Sequence, residues 1–144
     1  MAGNTTNKEA SKKEASQKIP LKKIELEYEI KSSPKVLYGM LSTDSGLEEW
    51  FADKVNPHNG NFVFEWEGEK KEAKIVAKKD NQFIRFKWLT DEFHETYFEF
   101  TIVQDEMTSD VALVITDFSS DKDKEETVLL WNSQVQSLKH VIGS

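Results

Sequence analysis

The chain has 144 residues, 38% hydrophobic and 31% charged, with a formal net charge of −7 and no cysteine. That length accommodates one domain, and no apolar run approaches the ~20 residues that a membrane-spanning helix needs. The missing cysteines exclude disulfides, thiolate metal sites, iron–sulfur clusters and thiol nucleophiles.

Charge is distributed unevenly. Residues 1–23 hold six lysines and two glutamates, net +4, which leaves −11 on the rest of the chain. An acidic body repels phosphate backbones. Of 19 basic residues only Arg85 is an arginine, although arginine is the residue suited to bidentate phosphate and base contacts. Nucleic acid is therefore not an expected partner.

Met1 to Gln17 is polar and nearly repetitive, with Lys8-Glu9-Ala10-Ser11-Lys12 followed by Lys13-Glu14-Ala15-Ser16-Gln17. Nothing apolar is available to bury, so residues 1–20 are expected to be a flexible polar leader and 21–144 the folded domain. The leader has neither the apolar core of a secretory signal nor the arginines of a mitochondrial presequence. A cytoplasmic location is expected.

From Ile24 the pattern alternates: Ile24, Leu26, Tyr28 and Ile30 share one side, and Glu25, Glu27, Glu29 and Lys31 the other. This predicts a strand with one wet face. Ser33 before Pro34 reads as an N-cap followed by proline at the first helical position, opening a short helix with Val36, Leu37, Met40 and Leu41 on its apolar face. A second short helix is predicted over Asp44–Ala52, with Leu47, Trp50 and Phe51 on one side. Asn56-Pro57-His58-Asn59-Gly60 reads as a loop by its turn chemistry.

Further alternating segments follow at 62–66, 73–78, 83–88 and 96–103, and the segment 111–118 is apolar on both faces except at Thr116 and Asp117. Tight links between them imply an antiparallel meander. Glu65, Glu67 and Glu99 fall on the outward face, where Lys74, Lys78, Arg85 and Lys87 are expected to pair with them. The last element is a helix: Asp123 and Glu126 have capping-box spacing, and Val128, Trp131, Val135, Leu138 and Ile142 make one continuous stripe ending before Gly143. That stripe needs a partner, and the apolar sheet face is the one available. The predicted fold class is α+β: a curved antiparallel sheet wrapped around a long C-terminal helix, with two short helices after the first strand.

This order of elements resembles the START-like helix-grip superfamily, and within it most nearly the branch named after the activator of the heat-shock chaperone ATPase. The likeness is carried by Ser33-Pro34-Lys35-Val36-Leu37-Tyr38, by Leu41-Ser42-Thr43-Asp44 with Leu47 and Trp50-Phe51, and by Gly60-Asn61-Phe62, Trp66-Glu67-Gly68, Phe83–Trp88 and the helix bearing Trp131 and Leu138. It extends over about Leu21 to Ser144.

The resemblance implies a cavity between sheet and C-terminal helix that accepts apolar ligands. Its lining would come from Phe64, Trp66, Phe86, Trp88, Phe98, Phe100, Leu113, Ile115, Trp131 and Val135, with Trp50 and Phe51 at the mouth. Asp117 shares parity with Leu113 and Ile115 and would place a carboxylate at the rim. The same aromatic bulk is also what an ordinary sheet–helix core requires.

Catalytic residues, metal ligands and cofactors are not expected. His58, His94 and His140 are solitary, no pair has HxxxH spacing, and no nucleophile elbow or phosphate-binding glycine loop exists. The function expected first is a non-enzymatic module holding a small hydrophobic or lipid-like ligand. The alternative is a co-chaperone-type domain with a filled core and a chaperone-like protein partner. An enzyme of the cyclase or hydratase kind stands third.

Overall fold

The computed structural model describes residues 20–91 and 95–144. The expected leader, apart from Pro20, and His94 lie outside the described residues. Seven strands form one antiparallel sheet: β1 (Lys22–Ile30), β2 (Lys54–His58), β3 (Asn61–Trp66), β4 (Glu69–Lys79), β5 (Phe83–Trp88), β6 (Phe98–Gln104) and β7 (Val111–Ser119). Their spatial order is β1-β7-β6-β5-β4-β3-β2. Thus β2 through β7 are a meander, and β1 closes against β7 from Lys22↔Ser119 to Ile30↔Val111. Two short helices, α1 (Pro34–Ser42) and α2 (Asp44–Trp50), follow β1, and α3 (Lys124–Ile142) ends the domain. This is the helix-grip architecture.

The helices begin where capping chemistry starts them. Ser33 accepts the Val36 N–H at 3.2 Å ahead of Pro34, and Thr43 accepts the Gly46 N–H at 2.9 Å at the start of α2. The two helices touch backbone to backbone at Gly46. A Cβ there would run into the Gly39 carbonyl oxygen and lie 2.7 Å from Met40 Cα, so glycine is required by space.

Three local expectations are corrected. The segment expected as a loop, Asn56–Gly60, is mostly strand: β2 pairs with β3 from Lys54↔Glu65 to His58↔Asn61, leaving only Asn59-Gly60 as the turn. Both turn residues have positive φ, 51° and 83°, the geometry for which Asn-Gly is the favoured two-residue hairpin link. Pro57 is tolerated because β2 is a sheet edge.

The second correction concerns β4. Its register shifts between Ile75 and Ala77, so Ala77 comes to lie opposite Arg85 and Lys78 opposite Ile84. One extra residue in a strand exchanges its two faces, and Lys78 thereby leaves the outward face assigned to it. The third is the cap of α3. Asp123 makes no side-chain capping bond; instead Ser120 Oγ accepts the Asp123 N–H at 3.2 Å.

The outward ion pairing is realised at Arg85 and Glu99, 2.7 Å apart. Glu67 is not on that face, because it occupies the β3–β4 turn with a φ of 48°. Lys74 stands opposite Lys87, and Lys87 donates to the Thr96 carbonyl at 2.6 Å.

The core lies between the concave sheet face and the three helices. Phe64, Phe86, Phe98 and Phe100 are fully buried, with Leu37, Leu41, Leu47, Ile84, Leu113, Ile115 and Leu138. From α3, Trp131, Val135 and Leu138 are buried, while Val128 and Ile142 at the two ends of the stripe are half-buried. Tyr28 Oη donates to Asn132 Oδ1 at 2.7 Å, tying the edge strand β1 to α3.

Candidate functional site

A cleft of about 480 Å³ opens at one end of the sheet, under the N-terminal half of α3. Its aromatic walls come from five parts of the chain. Phe51 follows α2, Trp66 ends β3, Trp88 ends β5, Phe98 begins β6, and Trp131 comes from the third turn of α3; all five rings line the cleft. The polar contributors are Lys71 of β4, Asp117 of β7, and Thr127 and Gln134 of α3, with Leu130 at the margin.

Phe51 organises these rings. It stacks on Trp131 (5.8 Å between centroids, 16° between planes) and on Phe98 (5.7 Å, 28°), and meets Trp66 edge-on at 5.3 Å. Its carbonyl oxygen accepts from Trp66 Nε1 at 2.7 Å and from Gln134 Nε2 at 3.0 Å. One backbone group therefore anchors a tryptophan of the sheet and a glutamine of the helix, and the rings are held by hydrogen bonds as well as by packing. Trp88 completes the wall, 4.9 Å from Phe98 and 6.1 Å from Trp66. Trp66 and Trp88 remain partly open to solvent, whereas Phe51 and Trp131 are buried.

Asp117 sits on the helix-covered side, as its parity predicts. Its Oδ2 accepts the Trp131 Nε1 proton at 2.9 Å and its Oδ1 the Phe118 N–H at 2.8 Å. Burial pushes its pKa above the ordinary aspartate value; both hydrogen bonds and the Lys71 charge pull the other way, and the negative charge of Asp91 adds to the rise. Lys71 lays its ammonium over the Trp88 ring, 4.3 Å from the centroid, a cation–π contact.

The residues singled out in the sequence divide into two groups. Phe51, Trp66, Trp88, Phe98, Asp117 and Trp131 converge on the cleft. Trp50, Phe64, Phe86, Phe100, Leu113, Ile115 and Val135 are packed in the core, with Trp50 held away from the cleft by its bond from Nε1 to the Met40 carbonyl at 2.8 Å. The centre of the sheet–helix layer is thus filled, and the open volume lies at one end.

Lys71, Thr127, Leu130 and Gln134 were not among the expected lining residues. Lys71 shares parity with Ala73 and Ile75 and lies opposite the buried Phe64, so its inward direction could have been read by extending that strand toward Glu69. Thr127, Leu130, Trp131 and Gln134 recur at the i, i+3, i+4, i+7 spacing of one helix face. His58 lies on β2 beside Glu72, at 3.3 Å and exposed, and His140 is exposed near the end of α3; neither lines the cleft.

A curved antiparallel sheet gripping a C-terminal helix, with an aromatic cleft at one end, defines a helix-grip domain. A family model described as the START-like superfamily domain matches residues 16–144, and the chain belongs to that superfamily. Among solved structures it is similar to BfR322 of Bacteroides fragilis, with 41% identity over 85% of this chain and 91% of that one and a TM-score of 0.63. The solution structure of the Aha1 dimer from Colwellia psychrerythraea has the same fold at 20% identity, with 82% and 93% of the two chains covered and a TM-score of 0.68. DynU16, a protein of the dynemicin biosynthetic locus, matches at 9% identity and a TM-score of 0.68, covering 85% of this chain and 47% of its own. No curated protein matches the chain. Among the described residues no helix is long and apolar enough to cross a membrane.

Proposed function

We propose that this chain is a non-enzymatic binding module that holds a small hydrophobic or lipid-like molecule in the aromatic cleft under α3. The observation that carries this reading is the cleft itself: about 480 Å³, within the 300–1,000 Å³ common for small-molecule sites. Aromatic walls with a few convergent polar groups are the composition such sites use. Preformed rings also lower the ordering cost of binding.

The fluorescent apolar probe N-phenyl-1-naphthylamine, uncharged at neutral pH, tests this reading. Titration into the full chain is expected to give a saturable enhancement with one site per molecule. Trp88→Ala should weaken it several-fold without altering the far-ultraviolet circular dichroism. A linear, unsaturable response would remove the cleft from consideration. Native mass spectrometry of protein taken directly from cells would then identify a co-purified occupant.

A second reading has its own support. Leu129 and Leu130 are 62% and 59% exposed on α3, beside a filled core, and large apolar side chains presented to solvent suit a protein contact. Under that reading the domain works through its surface in the manner of a co-chaperone, and Leu129→Ser, at a residue outside the cleft lining, would abolish partner binding while leaving probe binding intact.

A further inference from the structure

The cleft presents two opposite charges on its inner wall that do not pair with one another. Lys71 stands directly opposite Phe64, so it projects to the helix-covered side of the sheet, as Asp117 does. No ion pair joins Lys71 to Asp117 among the described residues. The Lys71 ammonium rests on Trp88, and each Asp117 oxygen takes one hydrogen bond from the protein. A carboxylate has about four acceptor sites, so Asp117 keeps capacity for a further donor arriving through the cleft.

From these placements we infer that the cleft takes a ligand bearing a protonated amine on an apolar body, its ammonium seated between the Trp88 ring and the Asp117 carboxylate. This rests on the reading of the cleft as a ligand site and names the ligand's chemical class. Lys71 itself illustrates the contact, since it lays an alkylammonium across the indole. Tryptophan gives the strongest cation–π attraction of the aromatic side chains, and three tryptophans line this cleft. A partly desolvated carboxylate is best satisfied by a hydrogen-bonded cation.

The surrounding field has the same sign preference. Asp91 lies close enough to act on Asp117, and the whole chain carries −7. An anionic ligand would meet the Asp117 carboxylate, with Lys71 the one basic residue among the described residues that line the cleft. Lys71 is exposed, and a long flexible stem lets it withdraw to solvent when a ligand's ammonium takes its place. Lys71 therefore acts as a built-in competitor for the site.

The test uses three probes on one skeleton: 4-phenylbutylamine, 4-phenylbutan-1-ol and 4-phenylbutyrate, titrated at neutral pH into the full chain while the tryptophan indole N–H resonances are followed by NMR. The amine is expected to bind about tenfold more tightly than the alcohol, and the carboxylate most weakly, a difference of the size a partly desolvated cation site supplies. Asp117→Asn should remove that preference, so that amine and alcohol bind the variant equally. Lys71→Met, at an exposed position that cannot compromise folding seriously, should tighten the amine several-fold.

The inference is overturned if alcohol and amine bind equally, if the carboxylate binds best, or if Lys71→Met weakens the amine. When the alcohol binds and the amine gains nothing, the apolar site stands and the amine preference falls. When none of the three binds, both fall together.

Discussion

Asp117 holds a carboxylate where burial disfavours its charged form, and it does so with two hydrogen bonds, one of them from the indole of Trp131. Its pKa in the folded protein lies above the ordinary aspartate value of 3.8. The folded state therefore binds the proton more tightly than the unfolded chain does. The stability this contributes is fully present below the unfolded value and is lost as pH rises through the folded one. Urea unfolding between about pH 3 and pH 7 should show wild type losing stability relative to Asp117→Asn as pH climbs through that window. A constant difference across the range would mean that the carboxylate is solvated. The side of the sheet on which Asp117 lies was legible from its parity with Leu113 and Ile115; its bond to Trp131 was not, because the partner comes from an element 14 residues further on, across the turn from β7 into α3.

At the scale of the element, α3 decides whether a cleft exists. Its stripe was plain in the sequence, since helical spacing follows from the 3.6-residue turn alone. Trp131 is the residue that docks it: buried, stacked on Phe51 and hydrogen-bonded to Asp117. Trp131→Ala is expected to cost ~3–5 kcal/mol in denaturant unfolding, the range for deleting a large buried aromatic. A loss below about 1 kcal/mol would show that the helix is not seated on the sheet through this ring. The missed strand β2 and the misassigned face in β4 share a cause. In β2 a proline masked five residues of edge strand, and in β4 the bulge near Val76 broke the alternation from which faces are assigned. Local pattern reports local geometry faithfully only where neighbouring strands do not intervene.

Across the whole molecule, β1 and β7 pair over nine residues although some ninety positions separate them in the chain, and α3 lies over the sheet that they complete. No contiguous part of this arrangement has a core of its own, because the fully buried phenylalanines come from β3, β5 and β6 and the helices cover them together. Unfolding is therefore expected to be a single cooperative step. Tryptophan fluorescence, which reports the cleft, and far-ultraviolet circular dichroism, which reports the sheet, should give superimposable denaturation curves. Separated midpoints would mean that α3 and its cleft open independently of the sheet.

The START-like fold was readable in the order and periodicity of the elements, because alternation, capping residues and a helical stripe are properties of a few consecutive amino acids. Which aromatics fill the interior and which face an opening was decided by tertiary structure alone. Phe64 and Trp66 obey the same alternation on one strand, yet the first is fully buried and the second borders the cleft. What separates them is their distance from the sheet's end and the reach of α3 above it, quantities set by how the layers curve and meet. The charges of Lys71 and Asp117 come together for the same reason: each was placed on the helix-covered face by its own strand, and only the curvature of the assembled sheet brought the two to one cleft.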